Sequence, residues 1–400
     1  MCWWILQGVS ISLKSVTKRK RSNRLHHITL NLPIRKVFLL PCFVSFAGYQ
    51  FPKEMAVVLF DQHIRAALFP FTETRHTALI RVGVFTIKEK WERLLKVPVR
   101  ISENANDLQA GEIAIPANVL PAQEDYLQII GTYKTGSELS SEIRTIQRPW
   151  DIFIHNAWAI KSDAYIIMNE KRSAPVSSTN KCVNERAIFL EEGVVMEHCI
   201  INATEGAVYI GKNALVMEGT MIRGPVSIGE NAVVKMGAKL YGGTTIGPHC
   251  NAGGEIKNSV LMEYSNKSHD GYLGDSVIGA WCNLGAGTSN SNMKNNAGDV
   301  SYLFDKEETP MVAGSKAGVL MGDYSRCAIN TSFNTGTIVG VCCNIFGGMP
   351  PKYMPHFSWG TERYIFDKAI ADIINWKKMK AGEVTDDEID MLYELYSNKQ

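Results

Sequence analysis

From Val208 onward an aliphatic residue returns at every sixth position: Ile210, Val216, Ile222, Ile228, Val234, Leu240 and Ile246 recur without a break. The positions two before them, Val208, Ala214, Thr220, Val226, Ala232, Ala238 and Thr244, are all small or β-branched. A helix repeats at about 3.6 residues and a flat strand at about 2, so neither accommodates this period. A chain that turns a corner every six residues does, and it forms a triangular prism with the aliphatic side chain pointing inward. Each coil hides its apolar edge only against neighbours about 4.8 Å away, so the coils must stack into a solenoid. Gly211, Gly229 and Gly247 follow the repeat, where the corner is expected to need a permissive backbone. Ile188, Val194 and Ile200 upstream, and Ile278 and Leu284 downstream, keep the spacing out of phase, which places loops between coils.

The rest of the chain has other rhythms. Residues 1–54 carry a basic run, Lys18 to Arg24, and an apolar stretch, Lys36 to Tyr49, too short to span a bilayer and broken by Pro41. They are expected to be an extension, disordered or upstream of the true start, with the folded protein opening at "MAVVLF" from Met55. Residues 55–180 mix a strand (AVVLF), a helix from Thr86 to Leu95, "RPWDIF" and a strand-like "AYIIM", and are expected to form a small α/β domain. The solenoid spans 187–360. In 361–400 Ile365, Ala369, Ile370, Ile373 and Ile374 mark one apolar helix face, and "TDDE" from Thr385 opens a last helix containing Leu392 and Leu395. These helices are expected to cap the stack.

Composition excludes several classes. A formal net charge of +2 over 400 residues gives no nucleic-acid-like surface. Nine cysteines without a C-x-x-C pair argue against both a disulfide framework and a thiolate metal cluster, and point to a reducing cytoplasm. His249 and His269 stand too isolated for a histidine-bound metal. Neither nucleic acid nor membrane is an expected partner.

Flat solenoid faces built from small residues give long polar side chains no packing reason to be there. Lys239, Lys257, His269, Tyr272, Asn283 and Asn292 all fall in the middle of this region. Two lysines hold a phosphate as point charges. A histidine, with an ordinary pKa of about 6.5, accepts a proton from an attacking amine. The set suits acyl transfer to a phosphorylated amino sugar, although a lone histidine is equally at home satisfied by a backbone group.

The stretch "KLYGGTTIGPHCNAGGEIKNSVLMEYSNKSHDGYLGDSVIGAWCNLGAGTSNSN" resembles the acetyltransferase half of the bifunctional UDP-N-acetylglucosamine diphosphorylase / glucosamine-1-phosphate N-acetyltransferase family. The resemblance implies a left-handed parallel β-helix of hexapeptide repeats, assembled as a homotrimer that binds acetyl-CoA as co-substrate between subunits. It implies His269 as general base, Asn292 as a residue orienting the base or the amine, and Lys239 and Lys257 as sugar-phosphate binders. Lys239 stands where an arginine is usual, which would lose bidentate contact. Tyr272 and Asn283 correspond to sugar-contacting positions, and Lys316 to a lysine in the site shared with a neighbouring subunit. "FPFTETRHTALIRVGVFTIKEKWE", "RPWDIF", "YSNKSHDGYLG", "MGDYSRCAINTSFNTGTIVGV" and "FSWG" resemble a variant bacterial branch of the same family, across Met55 to the C-terminus.

The amino-terminal half departs from the pattern. "VVLFDQHIRAALFPFTETR" occupies the place of a glycine-rich phosphate loop, and Asp61, Gln62, His63, Ile64 and Arg65 stand where glycines would let backbone N–H groups approach a triphosphate. Arg65, Arg75 and Arg81 are the candidate nucleotide-binding side chains. Asp61 and Asp151 are the candidate partners for Mg2+, needed if this domain is active. Either role competes with that of an ordinary structural charge.

Three functions fit. The first is a sugar-1-phosphate acetyltransferase fused to a nucleotidyltransferase-like domain that takes a nucleoside triphosphate, in nucleotide-sugar biosynthesis. The second is mainly a uridylyl- or thymidylyltransferase with the prism as trimerising scaffold. The third is a non-catalytic trimeric binding module.

Overall fold

The computed structural model describes residues 56–305 and 309–398. The expectations for residues 1–54 lie outside them. The α/β portion opens on β1 (Ala56–Phe60), whose Val57, Val58 and Leu59 are buried, and which pairs in parallel with two later strands. A short hairpin, β2 (Arg81–Val82) and β3 (Phe85–Thr86), leads into α1 (Ile87–Leu95). There Thr86 and Glu89 cap each other, the hydroxyl accepting from Glu89 N at 3.2 Å and the carboxylate from Thr86 N at 2.7 Å. β4 (Arg100–Ser102) and β5 (Glu112–Pro116) flank β1 in the order β4-β1-β5.

α2 (Tyr126–Thr135) and α3 (Asp151–Glu170) complete the layer. The strand expected at "AYIIM" is instead the last third of α3. Ile152, Phe153, Asn156, Ala159, Ile160, Asp163, Ala164 and Ile167 are buried at three- and four-residue spacings, so the apolar run belongs to a helix face.

The periodic region is a left-handed parallel β-helix. One face carries nine parallel strands from Ile188–Leu190 to Tyr353–Met354. A second runs from Val195–Met196 to Ser358–Trp359, and a third from Lys181–Val183 to Tyr272–Gly274, continued by Ser289–Asn290 and Ser332–Phe333. Ile210, Val216, Ile222, Ile228, Val234, Leu240 and Ile246 all point inward, none more than 3% exposed. An antiparallel excursion, Val300–Tyr302 with Met311–Gly314, interrupts the stack after Asn290.

Two expectations about the repeat are corrected. Upstream, Ile200 is 51% exposed and Ile201 takes the interior position, while Leu190 and Met196 stand level with Ile210 and Val216, so the inferred run Ile188, Val194, Ile200 is one to two residues out of frame. The glycines are needed for proximity rather than for a left-handed corner. A Cβ on Gly211, Gly229 or Gly247 would stand 2.5–2.7 Å from backbone atoms of the next coil. The left-handed corner residues lie two positions later and are Asn213, Asn231 and His249.

The α/β portion packs on the first face, where Val260, Val277, Leu320 and Ile338 join its apolar core. Polar groups fix the junction. Asn156 on α3 accepts from Gly83 N at 2.7 Å and donates to Gly243 O at 2.7 Å, and Lys90 and Asp163 form a buried pair at 2.5 Å. Burial holds the Lys90 ammonium below the usual lysine range and raises the Asp163 carboxyl.

The C-terminal helices are α4 (Phe366–Met379) and α5 (Asp386–Ser397). Ala369, Ile370 and Ile373 are buried, while Ile365 and Ile374 are 56% and 45% exposed. α4 packs against the left-handed corner of the later coils, where Tyr324, Val341, Cys342 and Phe357 meet Ala369, Ile370 and Ile373. The ring planes of His249, Tyr264 and Trp281 lie parallel along the same corner at 4.5 and 4.1 Å, and Lys380 beyond α4 donates to the His249 and Tyr264 carbonyls at 2.8 and 3.0 Å. No helix among the described residues is long and apolar enough to cross a membrane.

Candidate active site

Strand pairing decides which remote residues meet. On the third face Met221, Lys239, Glu255 and Tyr272 follow one another as direct neighbours in successive coils. Each step is about 4.8 Å, so a lysine, a carboxylate and a phenol form one column. Lys257 lies two residues beyond Glu255 on the same strand, and both lysines are exposed.

Tyr272 does not project straight out. Its ring folds over its own strand, with the hydroxyl lying where any side chain on residue 274 would stand, which only Gly274 permits. There the hydroxyl accepts from Asn292 Nδ2 at 3.1 Å. The same amide donates to Asp275 Oδ2 at 2.5 Å, and Asn258 Nδ2 donates to Asp275 Oδ1 at 2.7 Å. Burial, with the Asp275 and Glu255 carboxylates nearby, pushes the Tyr272 hydroxyl up to about 12, so it remains a donor throughout the neutral range.

The backbone closes the same cluster. Asp275 N donates to Lys257 O at 3.1 Å, Gly318 N to Asp275 O at 2.8 Å, and Ala317 N to Asn292 O at 2.8 Å. Lys316 is therefore delivered beside Asn292 by the chain returning from the excursion, and its side chain is exposed. His269 stands exposed at the corner between the second and third faces, three residues before Tyr272 on the same turn.

Asn283 is not brought to this cluster. It lies on the second face in a ladder where Asn251 donates to Asn266 at 2.9 Å and Asn266 to Asn283 at 3.4 Å, beneath Lys380. Sequence inspection missed Asp275, Asn258, Gly274 and Asn290. Asn290 accepts from Gly274 N at 2.8 Å and donates to Gly274 O at 3.0 Å, which sets the strand under the Tyr272 ring. The dense "NSN" after "GAGT" was the available signal.

In the α/β portion, two adjoining open hollows of about 610 and 260 Å³ lie at the carboxyl ends of β1 and β4, lined by Arg65, His76, Glu103 and Asn104 among others. Carboxyl ends of parallel strands are where open α/β sheets receive ligands. Of the three candidate arginines Arg65 is the most open to this space, its side chain 39% exposed although paired with Asp61 and Glu103 at 3.8 Å each; Arg75 also lines the larger hollow. Arg75 is held by Asp323 and by Glu263, the latter at 2.9 Å, across the junction with the solenoid. Arg81 turns inward onto the Val84 carbonyl.

The residues do not fit a Mg2+ site. Asp61 is buried, accepts from Thr77 N at 2.9 Å and lies 3.4 Å from His76 Nε2, with Arg65 on its other side. Asp151 accepts from Gln147 N and Arg148 N at 2.8 and 2.9 Å, as a cap at the start of α3. Neither carboxylate presents an open pair of oxygens, and no group of three or more potential ligands assembles among the described residues.

The fold and this cluster define a class: a parallel β-helix bearing a polar third-face site, with a small α/β domain seated on its first face. Comparison with known proteins narrows it. Residues 57–140 match the sugar nucleotidyl transferase family. The chain is 35% identical over 89 residues to the "Bifunctional protein GlmU" of Methanocaldococcus jannaschii, covering 22% of this chain and 21% of that protein. It is 25% identical over 244 residues to the protein of the same name from Methanococcus maripaludis strain C5, covering 58% and 52%. It is 34% identical over 102 residues to the "Bifunctional sugar-1-phosphate nucleotidylyltransferase/acetyltransferase" of Sulfurisphaera tokodaii, covering 24% and 23%. The chain thus spans between a fifth and about half of the length of these relatives. A solved structure of PerB from Caulobacter crescentus, in complex with CoA and GDP-perosamine, is 13% identical and covers 75% of this chain and 91% of that one. Its TM-score of 0.15 bears on neither fold nor ligand.

Proposed function

We propose that this chain is a transferase of sugar-1-phosphates that moves an acetyl group from acetyl-CoA to the amine of an amino-sugar phosphate on the third face. The observation that carries the reading is the exposed imidazole of His269 on the turn that also holds Tyr272 and, through it, Asn292. The column of Lys239 and the neighbouring Lys257 supply cations for the phosphate.

In this reading the chemistry runs as follows. The sugar ammonium must lose a proton before it attacks, and His269 takes it. The neutral amine attacks the thioester carbonyl to form the C–N bond, the oxyanion is held by an amide donor, and as the C–S bond breaks the nitrogen gives up its second proton and coenzyme A leaves as the thiol. The Asn292 amide is already engaged by Tyr272 and Asp275, so in this reading it orients the site and another donor holds the oxyanion. A homotrimer in which a second copy completes the groove for acetyl-CoA, in a reducing cytoplasm, is part of the proposal.

Nucleotidyl transfer is a second reading, favoured by the match of residues 57–140. Here the hollow beside Arg65 would hold the nucleotide. One experiment separates the two: the full-length protein with acetyl-CoA, glucosamine-1-phosphate and each nucleoside triphosphate, following free thiol and pyrophosphate separately. Thiol release without pyrophosphate supports the first, pyrophosphate without thiol the second, and neither product removes both.

A further inference from the structure

Lys267 sits where the solenoid should be aliphatic. It pairs with Ala252, which pairs with Val234, which pairs with Val216, so the lysine continues an inward-facing column of apolar residues. Leu284 and Cys327 continue the same face in the coils beyond. The side chain is only 1% exposed. Nothing in the proposed chemistry uses it, and an ammonium is an expensive group to bury unless it has partners.

Its partners identify its role. Nζ donates to the carbonyl oxygen of Gly253 at 3.4 Å and, more closely, to the carbonyl oxygen of His269. Some coils satisfy this corner with a hydroxyl: Thr220 Oγ1 donates to Met217 O at 2.8 Å and to Lys235 O at 3.3 Å, and Thr331 Oγ1 to Ala328 O at 2.8 Å, while Ala238 and Gly254 hold the position in the two coils between Thr220 and the turn of His269. In the turn bearing His269 the position equivalent to those threonines is Gly271, where a side chain would collide with the Thr288 carbonyl. No hydroxyl is available here, and the lysine reaches along the interior to the Gly253 carbonyl, equivalent to the Lys235 carbonyl that Thr220 serves, and to that of His269 one residue further round the corner. Its hold falls on the peptide of the one exposed imidazole on this turn.

We propose that Lys267 is the positioning residue for His269, gripping the histidine's own carbonyl from inside the solenoid and so fixing the backbone from which the imidazole projects. The proposal rests on the reading of His269 as the base. An exposed corner residue has few side-chain contacts to hold it, and a displacement of about 1 Å at a reacting group costs on the order of 100-fold in rate. Holding the main chain solves this without occupying the ring.

The test uses the full-length protein. Lys267→Met keeps the side-chain length and removes the donor, with Lys267→Gln as a second variant should the first fail to fold. Acetyl transfer from acetyl-CoA to glucosamine-1-phosphate is followed by thiol release, and the His269 ring resonance, assigned by its loss in His269→Ala, by NMR. Expected for Lys267→Met are a kcat lower by about 10- to 100-fold with each KM within about threefold, a folded protein, and a shifted or broadened His269 resonance. In a His269→Ala background the same substitution removes nothing further. A kcat within about twofold of the parent together with an unmoved resonance overturns the proposal. If His269→Ala itself turns over normally, the base reading fails, and the resonance alone then decides whether Lys267 orders the corner.

Discussion

Arg75 and Asp323 meet across 248 positions of sequence, guanidinium to carboxylate, at the seam where the α/β portion sits on the β-helix. Glu263 accepts a second bond from the same guanidinium, and Thr74 Oγ1 donates to the same Asp323 oxygen at 2.6 Å. Arg75→Ala leaves two carboxylates facing each other in a dry seam. It is expected to lower unfolding free energy by about 3–5 kcal/mol in a urea titration. Arg65→Ala, at the open hollow, is expected to leave the midpoint within about 0.5 kcal/mol, and to change only nucleotide binding.

His269→Ala is expected to slow acetyl transfer by about 10²–10⁴-fold. Because the side chain is exposed, the thermal midpoint should stay where it is. A matched pair of thiol-release and melting measurements checks both halves.

Asp275 accepts from two amides, Asn258 and Asn292, and is 6% exposed. Asp275→Ala strands both donors and is expected to destabilise by about 1–3 kcal/mol. Tyr272→Phe removes the hydroxyl that accepts from Asn292 and keeps a proton to donate, so its expected effect is a raised KM for the sugar phosphate at near-normal stability. With the Tyr272 hydroxyl pushed up to about 12, the parent's pH–rate profile should show no tyrosine limb in the range usable for assay.

Gly229→Ala places a methyl 2.5 Å from Pro248 N in the next coil. Two rigid backbones must then part, and a loss of about 1–3 kcal/mol is expected. The measurement is a denaturant midpoint, with the m-value checked for change.

Burial lowers the Lys267 ammonium to about 8, against an unfolded value of about 10.4. Between those values the unfolded chain binds a proton that the folded chain has released, so stability attributable to this group rises with pH across that window. Below about 8 both states carry the proton, and the contribution is constant and unfavourable. Lys267→Met is expected to flatten the pH dependence of stability from about pH 8 to about pH 10, read as the difference between two urea-midpoint profiles.

The β-helix was legible because its period is a property of adjacent residues: Ile210 through Ile246 declare six-residue coils with no partner needed. The phase upstream was not, since Ile200 and Ile201 are both aliphatic and only pairing with Met221 and Ile222 tells which faces in. The column of Lys239, Glu255 and Tyr272 did not follow from that period, because these coils are shorter than three six-residue turns and strict spacing would have stacked Lys239 on Lys257. Asn283 was misplaced because a coil has three faces, and the sequence does not say which one a polar residue occupies. Arg75, Arg81 and Asp151 looked like ligand residues for a related reason. Their partners, Asp323, the Val84 carbonyl and the Gln147 amide, are fixed by packing and turn geometry, which composition does not reveal. Lys267 was hidden because its coil follows Ala252 after 15 residues where Ala252 follows Val234 after 18, so only the strand pairing puts it in their register. "AYIIM" misled because three consecutive β-formers outweighed the three- and four-residue spacing that begins at Ile152.

A stack of near-identical coils is open to slippage, since an apolar cross-section displaced by one level still buries an apolar cross-section. A single ammonium on the axis removes that degeneracy. Lys267 reaches two carbonyls from an interior position that Ala252 fills in the coil before and Leu284 in the coil after. A stack displaced by one level would have to rebury that ammonium away from the two carbonyls it now holds, at the cost of a buried charge without its partners.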